Sequence, residues 1–235
     1  MVPTTIQKNL LLVKEQIAVA ANRAGRRAEQ ITLIGVSKTH SAQAIQEAFD
    51  AGLRHFGENR VQEWEGKRAE IGNLPAAWHL IGHLQSNKAA RAAKLFHSID
   101  AVDDFALAQK LDRACFDLPA GQRLRVLIEL HLGGEESKSG VSEAALPELA
   151  EKVTALQRLE LAGLMCIPPF LENPEQVRPY FARLRELKDQ LEVRLGQRFP
   201  VLSMGMSHDF ETAILEGATE VRVGTALFGT RRAAQ

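Results

Sequence analysis

Residues Ile31–His40, ITLIGVSKTH, decide how the rest of the chain is read. A mostly apolar, partly β-branched run has the pattern of a buried strand, yet it closes on Lys38 just before a turn. Seven more short apolar runs follow, at 53–57, 77–82, 96–102, 124–131, 159–165, 199–203 and 220–223. Amphipathic helical patterns lie between them, at 41–51, 59–71, 86–95, 103–116, 142–157, 173–195 and 207–216. Ser41 is placed to cap the first of these, and Gly52 to end it. Ahead of the first strand, Ile6, Leu10, Val13, Ile17 and Ala21 recur at spacings of three and four, which predicts a helix over 4–25.

Eight strands, each but the last followed by a helix, imply a parallel sheet with right-handed crossovers. Eight such units close a barrel. The expected fold class is therefore α/β, a single (β/α)8 TIM barrel with an extra N-terminal helix. An open doubly wound sheet is the alternative, but no G-x-G-x-x-G follows the first strand. No linker or low-complexity tract divides the chain. Residues 1–235 read as one domain, with 1–30 a helical extension.

Composition excludes several classes of function. Hydrophobic residues make up 45% and charged residues 25%, as in ordinary globular proteins. Lys+Arg and Asp+Glu both number 29, so net charge favours neither a nucleic-acid nor an anionic membrane partner. No signal-peptide h-region or membrane-length apolar run is present. Cys115 and Cys166 are too few and too distant for a disulfide framework or a zinc site. The expected location is the cytoplasm.

In a barrel of this kind, chemistry sits at the C-terminal ends of the strands. Polar and glycine-rich segments gather there: SKTH, GENR, GHLQSNK, GGEESKSG, CIPP, SMGMSHD and GTALFGTR. The loops after strands seven and eight form a recurrent phosphate site. Gly205, in Met204–Ser207, lets the backbone approach a ligand. Ser207 is expected at the N-cap of helix 207–216, where free amides favour an anion, with Asp209 facing out. Gly224 and Thr225 add a second amide and a hydroxyl. In EVRV, alternation puts Val221 and Val223 on the helix-facing side and sends Arg222 into the barrel mouth, with Glu220 one layer lower.

The same parity places Ile34, Val36 and Lys38 on the inside. A lysine has an ordinary pKa near 10.4, which desolvation and a neighbouring cation lower. Its neutral amine then forms imines with carbonyls. A carbonyl compound bearing a phosphate follows, either a sugar phosphate in an aldolase or pyridoxal 5′-phosphate (PLP).

Taken together, GVSKTH, FGENRVQE, WHLIGHLQSNK, SKSGV, GLMCIPP, SMGMSHDFETAI and VRVGTALFG resemble the YggS/PROSC family, the PLP homeostasis proteins. The resemblance spans about residues 31–230. It implies a barrel similar to the N-terminal domain of alanine racemase, with PLP held covalently as a Schiff base on Lys38. Ser207, Gly224 and Thr225 would bind the phosphate, helped by the backbone of Met204, Gly205 and Met206. Arg222 would face the pyridine nitrogen, Asn59 would lie near the ring, and His79 and Ser203 would line the pocket. Lys138 matches a second lysine connected with cofactor exchange.

An arginine at the pyridine nitrogen makes PLP a weak electron sink, because a carboxylate is what protects the ring proton. Racemases of similar fold also use a tyrosine from a second domain, for which a single barrel leaves no room. The only tyrosine, Tyr180, lies on the helix after strand six, where packing explains it. His79, His83 and His208 remain as proton carriers. The favoured expectation is a PLP carrier with no substrate turnover, its recipients PLP-dependent apo-enzymes. An amino-acid racemase is the alternative.

Overall fold

The apolar runs do become strands, and their order in the sequence is their order in space. The computed structural model describes residues 4–119, 121–133 and 139–229. Its strands are β1 (Thr32–Val36), β2 (His55–Glu58), β3 (Ala77–Leu80), β4 (Ser98–Val102), β5 (Leu124–Leu130), β6 (Leu159–Cys166), β7 (Val201–Met206) and β8 (Glu220–Val223). Each pairs in parallel with the next, and β8 closes on β1. The architecture is the expected (β/α)8 barrel.

Around it run α2 (Ala42–Asp50), α3 (Val61–Ile71), α4 (Ala89–Leu95), α5 (Phe105–Cys115), α6 (Leu146–Thr154), α7 (Arg178–Leu195), α8 (Phe210–Leu215) and α9 (Thr225–Phe228), all preceded by α1 (Thr5–Arg23). Ser41 caps α2 as expected, accepting the Ala44 N–H at 3.2 Å. α1 begins in a capping box between Thr4 and Gln7. Its apolar stripe Ile6, Leu10, Val13 and Ile17 is buried. The last two helices explain what α1 is for. With only six and four residues, α8 and α9 cover little of the barrel wall. α1 packs across both, and Asn9 donates to the Leu227 carbonyl at 3.0 Å.

Most buried apolar side chains lie between the strands and the helices. The barrel interior is mixed. Ala101, Leu127, Ala162, Met165 and Val201 form an apolar cluster inside. A polar group shares the interior: His79 pairs with Asp100 at 3.1 Å and approaches His55 at 3.1 Å, while Arg125 pairs with Glu220 at 2.5 Å. Burial and the nearby His79 push His55 down to about 4.

Three local expectations need correction. β7 does not stop at 203; it runs through Met206, with a register irregularity against β8 between Ser203 and Met206. In consequence α8 starts only at Phe210, and its N-cap is Asp209 rather than Ser207. A short helix, α9, also follows β8, where none was expected.

Candidate functional site

Strand parity builds the site. Ile34 lies in register with Arg222, and a Cβ added to Gly224 would come 3.4 Å from Val36 Cβ. Val36, Lys38, Arg222, Gly224 and Thr225 all line one cavity of about 490 Å³ at the C-terminal end of the barrel. Asn59, Met206 and Ser207 line it as well. The expected strand faces thus deliver lysine, arginine and both glycine loops to a single space.

Arg222 is buried and donates to Ser203 Oγ at 2.7 Å and to the Cys166 carbonyl at 2.8 Å. Glu220 is not its partner, because Arg125 takes that carboxylate. The guanidinium therefore enters the cavity with no carboxylate hydrogen-bonded to it among the described residues.

The anion cradle differs in detail from its expected form. Ser207 caps no helix. Its Oγ accepts from the Gly224 N–H at 3.1 Å and the Ala226 N–H at 3.3 Å, tying the β7 loop to the β8 loop. That leaves the hydroxyl proton available to a ligand. Among the described residues, the Ser207 and Thr225 N–H groups make no hydrogen bond, and both residues line the cavity. Asp209, expected to face out, is buried, and its Oδ1 accepts the Met206 N–H at 2.6 Å. Burial pushes its carboxyl above the ordinary range, which favours the neutral form beside an anion. Gly205 has φ 92, and its backbone runs close beneath Phe210 and Ala213. Met204 turns its side chain into the helix layer, so only its backbone is near the loop.

Other expected residues lie elsewhere. His79 is 1% exposed, deep in the barrel against Asp100, and Ser203 is buried beneath Arg222; neither lines the cavity. Tyr180 packs on the core from α7. His83 and His208 do line the cavity: His83 pairs with Asp103 at 3.3 Å, and His208 bonds the Glu172 carbonyl at 2.9 Å. Lys138 lies outside the described residues.

Sequence reading missed several contributors. Glu129, at the end of β5, is a buried carboxyl in the cavity that accepts from Ser139 Oγ at 3.2 Å. Burial raises its pKa. Ile167 and Phe170 form an apolar rim. The backbone that carries Lys38 is also unusual. Ser37 O accepts the His40 N–H at 3.0 Å across a tight turn whose third residue, Thr39, has φ 65. A β-branched residue there costs on the order of 1–3 kcal/mol. Nothing in SKTH signals this turn, because the stretch lacks the Gly or Asn that such a turn prefers.

A family model, the alanine racemase N-terminal domain, matches residues 11–232. The pyridoxal phosphate homeostasis protein of Aquifex aeolicus is 46% identical over 96% of this chain and 98% of its own. The chain belongs to this family. The homeostasis protein of Pseudomonas aeruginosa is 48% identical over 97% of this chain and 96% of its own. Among solved family structures is PipY of Synechococcus elongatus, determined without PLP at 40% identity and with PLP bound at 39%. Both superpose with a TM-score of 0.85 over 96% of this chain and 100% of PipY. The homeostasis family thus shares this barrel over nearly its whole length.

Proposed function

We propose that this protein binds PLP in the barrel-mouth cavity, holds it as a Schiff base on Lys38 and releases it to PLP-dependent apo-enzymes in the cytoplasm without turning over a substrate. The observation that carries this reading is the convergence of Lys38, Arg222 and the Ser207/Gly224/Thr225 cradle on one cavity. PipY, a family relative, has been solved with PLP bound.

The residues present suit the group. Two amides with no hydrogen bond among the described residues, together with two hydroxyls, answer a phosphate, and the cradle is adjacent to the strand that leads to Lys38. When bound, PLP supplies an aldehyde with which a neutral lysine amine condenses, losing water. Ser207 and Thr225 would hold the phosphate end; the Met206 N–H is committed to Asp209 Oδ1, so the backbone of Met204, Gly205 and Met206 would help by shaping the loop. Arg222 is oriented by Ser203 and the Cys166 carbonyl, and so would present a fixed cation to the ring nitrogen. A cation there does not keep a proton on that nitrogen, which weakens the electron withdrawal that racemisation needs. Asn59, which lines the cavity, would lie beside the ring, and the buried His79 and Ser203 would support the pocket from below rather than touch the cofactor. No helix among the described residues is long and apolar enough to cross a membrane.

The family model's racemase kinship keeps amino-acid racemisation as a second reading. Titration with PLP separates the two. The carrier reading expects a stoichiometric visible imine band and no racemisation of alanine or other amino acids above background. Sustained multiple turnovers would favour the racemase. Thr225→Val removes one hydrogen bond to a charged phosphate and should weaken PLP retention by about 1–3 kcal/mol, roughly 5- to 150-fold. Equilibrium dialysis of the variant checks this.

A further inference from the structure

Both peptide groups flanking Lys38 are gripped by charged side chains that lie outside the ligand cavity. On one side, the Ser37 carbonyl accepts from Lys67 Nζ at 2.8 Å as well as from the His40 N–H. On the other, the Thr39 N–H donates to Glu63 Oε1 at 2.5 Å. Peptide units are planar, so fixing the planes before and after a residue fixes its φ and ψ. The Cα–Cβ vector of Lys38 is thereby set.

One ammonium joins the two grips. Lys67 Nζ contacts Glu63 Oε1 at 2.7 Å and both oxygens of Glu58, at 2.9 and 3.0 Å. Glu58 is fully buried at the end of β2 and also accepts from Ser37 Oγ at 2.6 Å. Side chains from β2 and α3 therefore hold the loop after β1 from behind. They also hold Thr39 in its left-handed conformation, which a β-branched residue would otherwise leave.

We infer that Glu63 and Lys67 are positioning residues for the Lys38 amine, fixing the backbone from which it reaches the cofactor carbonyl. This rests on the reading that Lys38 carries PLP. A purely structural role would tie α3 to the barrel and affect every ligand equally. A positioning role affects only the bond that Lys38 makes.

Two ligands separate these roles: PLP, and pyridoxine 5′-phosphate, which shares the ring and phosphate but lacks the aldehyde. In Glu63→Ala, PLP affinity and the rate of imine formation should fall about tenfold or more, the equivalent of one charge-assisted hydrogen bond. Pyridoxine 5′-phosphate affinity should stay within about twofold of the wild type, well inside that tenfold step. Glu63→Gln keeps an acceptor for the Thr39 N–H and should restore most of the PLP affinity. Lys67→Met should show the same split between the two ligands. Unchanged PLP affinity in Glu63→Ala, or equal losses for both ligands, would overturn the inference. A wild type that binds both ligands equally, with no imine band, would instead remove the covalent reading on which it rests.

Discussion

Lys38→Ala should lose the visible imine band completely when titrated with PLP, while its unfolding transition stays within about 1 kcal/mol of the wild type. Lys38 sits half-buried in a turn at the cavity wall, so its loss empties no core. The fold around it is set by β1 and by the bonds to Ser37 and Thr39, which the substitution leaves in place. The phosphate cradle also survives, since it belongs to the β7 and β8 loops. The variant should therefore keep a weak, colourless affinity for the phosphate end of the cofactor. Absorbance titration and thermal unfolding measure the two parts separately. An undiminished band in Lys38→Ala would assign the link to another amine.

Gly205→Ala should damage stability and binding together. At φ 92 any side chain is strained. The added Cβ would stand 2.6 Å from Ala213 Cβ and 2.9 Å from the Phe210 backbone. Neither atom is the end of a flexible side chain, so β7 and α8 must separate. Strain and overpacking together cost on the order of 2–5 kcal/mol, and the melting temperature should fall by roughly 10 °C. The shift passes to Met206 and Ser207, the next two residues, and so to the bonds that hold the Gly224 and Ala226 amides. PLP retention should fall with the melting temperature. A Gly205→Ala protein as stable as the wild type would mean that this loop has more room than its geometry shows.

Much of this was legible in the chain. Period-two alternation places Lys38 and Arg222, because a barrel strand must give its apolar side to the helices, and Val221 and Val223 do so. The cradle was legible for a related reason: glycines beside serine and threonine at the ends of two adjacent strands have few other uses. Non-local pairing was not legible. Asp209 faces inward because β7 extends through Met206 and offers it an amide, and Met-Gly-Met carries no strand pattern that foretells this. His79 stays deep because Asp100, one strand away, binds it. Glu58, Glu63 and Lys67 look like an ordinary charged strand end and helix until the barrel closes and brings Ser37 and Thr39 against them. Local pattern fixes which way a side chain points. Which partner it meets there depends on a neighbour far away in the sequence.

Peptide mass spectrometry after borohydride reduction of the PLP-loaded protein tests the covalent assignment most directly. Reduction converts an imine into a stable secondary amine, so the adduct stays on the residue that formed it. One pyridoxyl phosphate per chain is expected, on the peptide containing Lys38. A stable adduct confined to a different lysine, or none on a protein that nonetheless retains PLP, would contradict it.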